Sequence, residues 1–301
     1  MTLLMLSNML TCLCILLGVA FYSLLERKVL SYIQIRKGPK MIGVMGLLQP
    51  ISDAVKLFTK EMLLPYKTNY MMYWISPMVA FSLSMMFWIM YPMSSGTSTL
   101  NLSMIIFLVL SSLNVFGIMM SGWASNSKYA FLGAMRAMAQ TISYEVSFVF
   151  IVLFVAFTSS SLSIEEMNSG FGYLFLFFPM LMIFMSSIMA ETNRAPFDFA
   201  EGESELVSGF NIEYGGGTFV LLFLAEYSNI LFMSTLATSL MFNTGNTSIM
   251  MSSLLFTFVS ILFLFSRGAY PRLRYDLLMS LCWKCYLPVS LCIIILIVPI
   301  M

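Results

Sequence analysis

Leu102-Ser-Met-Ile-Ile-Phe-Leu-Val-Leu-Ser-Ser-Leu-Asn-Val-Phe-Gly-Ile-Met-Met-Ser121 runs for 20 residues without a charge, the length a helix needs to cross a hydrocarbon layer of roughly 30 Å. Apolar runs lie on either side of it: Leu3–Leu25, Tyr70–Tyr91, Ala137–Phe157, Phe171–Ala190, Thr218–Phe242, Ile249–Phe265 and Leu277–Ile300, of which the fourth, sixth and eighth spans in chain order each hold one charged residue, Glu145, Glu226 and Lys284. Over 301 residues, 59% are hydrophobic and 10% charged, and the mean hydropathy is +0.90. Such a chain leaves no soluble alternative: it predicts an all-α, polytopic transmembrane protein of about eight spans, one integral membrane domain over residues 1–301.

The basic residues orient those spans. Arg27, Lys28, Arg36, Lys37, Lys40, Lys56, Lys60 and Lys67 follow the first span, Lys128 and Arg136 the third, Arg194 the fifth, and Arg267, Arg272 and Arg274 the seventh. The other three inter-span loops carry no Lys or Arg, so the positive-inside rule puts both termini on the outer side and the charged loops on the inner one. Met1-Thr2-Leu3 offers no basic n-region, so the first run is expected to stay as a span rather than be cleaved. The 29 Met residues suit an organelle code that reads an extra codon as Met.

The first inner loop holds more than a turn. Leu47, Leu48, Ile51, Ala54, Val55, Phe58 and Met62 recur at helical spacing with Ser52, Asp53, Lys56, Thr59 and Lys60 between them, and Pro50 stands in the first turn. This predicts an amphipathic helix over residues 47–63, lying at the interface either as a lipid anchor or as one wall of a cavity for a lipid-like substrate. Arg36-Lys37-Gly38-Pro39-Lys40 reads as a basic turn against phospholipid headgroups or an acidic partner.

Histidine is absent, and Cys12, Cys14, Cys282, Cys285 and Cys292 fall in or near spans, where small apolar packing is the simplest role. No haem, zinc or iron–sulfur centre is therefore expected on this chain. Gly215-Gly216-Gly217 follows carboxylates, which repel phosphate, and reads as a flexible start to the sixth span.

Half of the 14 acidic residues are Glu191, Asp198, Glu201, Glu203, Glu205, Glu213 and Glu226, accompanied in sequence only by Arg194. Holding them beside a bilayer is unfavourable, which makes the loop 191–217 the first candidate for a working site. If residues 201–205 are helical, Glu201 and Glu205 share a face and repel, lifting at least one pKa toward neutrality, as proton uptake requires. A divalent-cation site lacks the spacing of a known calcium loop, and a solvated acidic loop leaves Phe197, Phe199, Leu206 and Phe210 without burial. Glu145 and Glu226 lie within spans with no base in their own helix turns, so each needs a partner from another helix, with Lys284 one candidate, or a proton of its own. Glu26 and Glu191, at inner span ends, extend the row.

Glu191-Thr-Asn-Arg-Ala-Pro-Phe-Asp-Phe-Ala-Glu-Gly-Glu-Ser-Glu-Leu-Val-Ser-Gly-Phe-Asn-Ile-Glu-Tyr214 resembles the acidic loop of the family of membrane subunit 1 of NADH:ubiquinone oxidoreductase, respiratory complex I. Glu26-Arg27-Lys28, Gln34-Ile-Arg36-Lys37-Gly38-Pro39, Gly46-Leu-Leu-Gln-Pro-Ile-Ser-Asp-Ala-Val-Lys-Leu-Phe-Thr-Lys-Glu61 and Arg136-Ala-Met-Ala-Gln-Thr-Ile-Ser-Tyr-Glu145 resemble its other motifs. Phe199 and Ala195 depart from the usual Leu and Thr.

The resemblance implies a core subunit of the mitochondrial inner membrane, with termini toward the intermembrane space and charged loops toward the matrix. It implies a ubiquinone path lined by Glu26, Arg27, Arg36, Asp53, Phe58, Arg194 and Phe210. It implies a proton or charge relay that starts at Asp198, Glu201, Glu203 and Glu205 and passes through Glu191, Glu145 and Glu226. Ubiquinone is then the substrate, while FMN and the iron–sulfur clusters belong to partner subunits. The partners implied are the peripheral-arm subunits carrying the terminal cluster, the other membrane-arm subunits and inner-membrane phospholipids; no nucleic acid is expected. A hydrogenase membrane subunit and a stand-alone transporter are the readings from other classes, the second lacking duplicated halves.

Overall fold

The computed structural model describes residues 2–62, 64–90, 101–169, 172, 174, 177–199, 202, 209–211, 213–242 and 244–299. Regular structure among them is helical throughout: α1 Thr2–Ile33, α2 Gln49–Thr59, α3 Tyr70–Ile89, α4 Ser103–Ala124, α5 Lys128–Ser159, α6 Ile164–Ser169, α7 Phe178–Glu191, α8 Gly217–Phe242, α9 Ile249–Ala269, α10 Tyr275–Leu281 and α11 Leu287–Ile297. Counting α10–α11 as one continuous rod, seven of these described helices are long and apolar enough to cross a membrane, which is the expected all-α polytopic class. At the fifth expected span the described helix is α7, with 14 residues; residues 171, 173, 175 and 176 lie outside the described set.

Two helices overrun their uncharged runs. α1 continues past Leu25 to Ile33, and α5 begins at Lys128 rather than near Ala137. Lys, Arg and Glu are good helix formers, so a helix continues through its charged turns after leaving the apolar layer. Glu26, Arg27, Lys28 and Arg136 consequently sit on rigid helix rather than on loop.

α8 is the central helix, packed against α1, α2, α3, α6, α7 and α9. Phe232 sits on its axis of contact, 5.2 Å from the Phe87 ring and 5.8 Å from Phe107. The hydroxyls of Ser228, Ser234, Thr235, Thr238 and Ser239 donate to carbonyls three residues back in the same helix, so these five hydroxyls demand nothing of their neighbours. α4 and α5 form a tight hairpin in which a Cβ on Gly122 would lie 2.3 Å from the Ala134 Cβ, the close approach that small residues permit in membrane helices.

Pro288 explains the one irregularity in the last span. It lacks the N–H that would bond to Lys284 and its ring crowds that carbonyl, so the preceding turn, Cys282–Tyr286, widens to π-helix. Lys284 lies on this turn with its side chain exposed.

Candidate functional site

The acidic loop is positioned by how α7 ends. Asn193 adopts a left-handed φ of 49°, its N–H donates to the Ala190 carbonyl and that of Arg194 to the Met189 carbonyl. This bond pair is the Schellman arrangement, with Asn where Gly is usual. It turns the chain sharply and delivers Arg194 beneath α1 and α8.

There Arg194 enters a buried charge cluster. Glu26 of α1, 4% exposed, is paired with the Arg267 guanidinium of α9, lies 3.6 Å from Arg194 Nη1, and accepts a 2.6 Å hydrogen bond from the Tyr227 hydroxyl of α8. Arg194 stacks 4.6 Å above the Tyr227 ring and its Nη2 is 4.0 Å from Glu226 Oε2. Two carboxylates thus face two guanidinia from four chain segments, which is the pairing a buried charge requires.

The loop beyond Arg194 is stapled from two sides. Gln140 of α5 donates to the carbonyls of Ala190 (3.0 Å) and Phe197 (2.8 Å). Leu273 donates to the Pro196 carbonyl at 3.1 Å, and Arg272 pairs with Asp198 at 3.1 Å. Phe197 and Phe199 are buried with Tyr144, Leu278 and Cys282. At the far end, Tyr214 stacks on Tyr73 of α3, with ring centroids 4.5 Å apart and planes 4° apart, and its hydroxyl donates to the Ser121 carbonyl at 3.0 Å. Burial pushes this phenol up to about 12, so it stays protonated and serves as a donor. Phe197, Phe199 and Phe210 are buried, where a merely solvated loop would leave them exposed; Leu206 lies outside the described residues.

Glu191, the last residue of α7, lines a cleft of about 460 Å³ together with Glu226 and Phe210, and Glu145 is near enough to repel it. The structure therefore brings Glu26, Arg194, Glu226, Glu191, Glu145 and Phe210 around one region, with Asp198 held at its margin. Arg27, Arg36, Asp53 and Phe58 belong elsewhere. Arg27 Nη1 meets Asp53 Oδ2 at 2.5 Å, and Gln49 donates to Asp53 Oδ1 at 2.9 Å, a latch between α1 and α2. The α2 stripe Leu48, Ile51, Val55 and Phe58 points away from the chain and is exposed, as is Arg36. Glu201, Glu203 and Glu205 lie outside the described residues.

One expectation needs correction. Lys284 is not the partner of Glu145 or Glu226: its side chain is exposed on the outward face of the last span, whereas Glu226 faces Arg194. Arg272 reaches Asp198 of the acidic stretch from beyond the seventh span, and Arg267 joins Arg194 at Glu26. Tyr227 and Gln140 were also not singled out by sequence reasoning. The available signal was charge balance: the stretch 191–226 holds seven carboxylates and one arginine, so buried members of it must find counter-ions on other inner-side segments. Cys282 is a packing residue whose thiol donates to the Ser143 carbonyl at 2.9 Å. No group of three or more acidic or thiol side chains is arranged to hold a metal ion among the described residues.

The NADH dehydrogenase family profile matches residues 6–298. NADH-ubiquinone oxidoreductase chain 1 of Anopheles gambiae is 50% identical over 290 residues, covering 95% of this chain and 92% of that one. The chain belongs to this family. The Heterololigo bleekeri chain 1 is 50% identical over 302 residues, with 98% and 96% covered, and that of Metridium senile is 47% identical over 296 residues, with 94% and 89% covered. The matched residues include those of the buried cluster and the stapled loop.

Proposed function

We propose that this chain is a core membrane subunit of proton-pumping NADH:ubiquinone oxidoreductase in the mitochondrial inner membrane, forming part of the ubiquinone path and the start of the charge relay that couples quinone reduction to proton translocation. The observation that carries the reading is the Glu26–Arg194–Glu226 cluster, which joins the inner ends of α1 and α9 to a carboxylate on the central helix and opens toward Glu191 and Glu145. A charge created or neutralised at the inner side is felt along such a row because partly buried groups are screened less than exposed ones.

In this reading α2 offers its exposed apolar stripe to the isoprenoid tail, with Arg27, Arg36 and Asp53 at the mouth, while Arg194 and Phe210 stand further in. Reduction of the quinone headgroup calls for protons and alters the charge facing Asp198, Glu201, Glu203 and Glu205. The response passes to Glu191, Glu145 and Glu226 and onward to neighbouring membrane-arm subunits. NADH oxidation, FMN and the iron–sulfur clusters reside in partner subunits. The termini face the intermembrane space and the charged loops face the matrix.

The test replaces Glu191 or Glu145 by Gln in the assembled complex. Electron transfer from NADH to an artificial acceptor should persist while coupled quinone reduction and proton pumping fall. Wild-type pumping in either variant removes that residue from the relay.

A further inference from the structure

Asn114 is the twelfth of 22 residues in α4, and Asn229 the thirteenth of 26 in α8, so both amides sit at mid-helix in membrane spans. Both line the cleft beside Glu191 and also a smaller cavity beyond it that reaches the aromatic core at Phe87 and Phe232. Thr192 borders these two cavities and the one that holds Glu26, Arg194 and Arg267. Three hollows therefore meet at one threonine.

The Asn229 Oδ1 is buried with no hydrogen-bond partner among the described residues. An amide in the middle of an apolar span needs a partner, and a hollow bordered by a carboxylate and two amides offers waters the polar partners they need. Apolar hollows stay dry, but this one presents both donors and acceptors.

We propose that Asn114 and Asn229 hold a buried water cluster against Glu191, and that Asn114 is a positioning residue that carries the proton path from the charge cluster toward the middle of the membrane. This rests on the relay reading of Glu191. Neither amide changes protonation state. Each orients a water by accepting from it through Oδ1 or donating to it through Nδ2, so that a proton can pass between the carboxylate and the waters.

The experiment uses the assembled membrane complex. An experimental density map should show ordered water within hydrogen-bond distance of Asn114 and Asn229, and Asn114→Leu, which keeps similar volume without the amide, should remove it. A dry cavity, or one filled by an acyl chain, overturns the inference. Asn114→Leu should slow coupled NADH-to-quinone turnover about 2- to 10-fold, the scale of one lost hydrogen bond. Asn114→Ser, which keeps a hydroxyl and leaves space for an extra water, should restore most of the rate. Wild-type turnover in Asn114→Leu, or equal loss with Ser and Leu, sinks the proposal. Glu191→Gln is measured beside them. If it is impaired while Asn114→Leu is not, only the water site is wrong; if both turn over normally, the relay reading is wrong, and the density map still decides the water site.

Discussion

Replacing Glu26 by Gln keeps the shape of the side chain and removes its charge from a place that is 4% exposed. Two unit charges at the 3.6 Å separation of Glu26 and Arg194 attract by about 5 kcal/mol gross at an effective dielectric near 20. Breaking a fully buried pair costs about 3–5 kcal/mol net. Here the Arg267 side chain is 32% exposed and Arg194 16%, so water takes over part of the loss, and about 2 kcal/mol remains. That corresponds to roughly thirtyfold faster thermal inactivation of the assembled complex if the cluster is broken in the transition state of unfolding. The assay is a double-mutant cycle on inactivation rates with Glu26→Gln, Arg267→Gln and the pair. A coupling of about 1–2 kcal/mol is expected, because the second substitution removes the guanidinium that the first leaves unpaired. Additivity within about 0.5 kcal/mol refutes the cluster. The exposed Arg27–Asp53 pair supplies the contrast: Asp53→Asn should cost below about 1 kcal/mol.

Glu191→Gln and Glu145→Gln should each lower coupled quinone reduction and pumping without loss of NADH oxidation by an artificial acceptor, as paired rate measurements will show. Trp at Ile51 or Val55 should raise the apparent KM for quinone, whereas unchanged kinetics returns α2 to a purely anchoring role. Gly122→Val drives a methyl into Ala134 and should destabilise the α4–α5 hairpin by about 1–3 kcal/mol, with partial rescue by Ala134→Gly in thermal inactivation; an unaffected valine variant contradicts the packing. The Tyr214 phenol, near 10 when unfolded and about 12 when folded, contributes stability that is complete below pH 10 and lost as pH rises toward 12. The stability gap between wild type and Tyr214→Phe should therefore shrink across that window, and a constant gap refutes it.

Uncharged runs revealed the spans because an apolar layer tolerates little else, and the seven long helices follow them. Their ends were harder to read, since Lys128 and Arg136 look like loop residues yet extend α5. The turn after α7 was legible in principle: Asn193 is a residue that accepts left-handed φ just past an apolar helix. The ion pairs were not. Arg267 lies 241 residues from Glu26 and Arg272 lies 74 from Asp198, and helical spacing says nothing about partners that far apart. The Asn114 and Asn229 amides look unremarkable in sequence, since a single polar residue in a span is common and only the packing of α4 against its neighbours gives them a shared hollow.

Glu26 and Arg27 are neighbours on α1, separated by about 100° around its axis, and each is fastened to a different part of the molecule. One grips the arginines of the interior, the other grips α2 at the surface. Turning α1 like a screw would tear both grips at once, so the helix is locked against rotation. High ionic strength, which weakens the outer grip far more than the inner, should therefore loosen α2 from α1 while leaving α1 anchored in the interior.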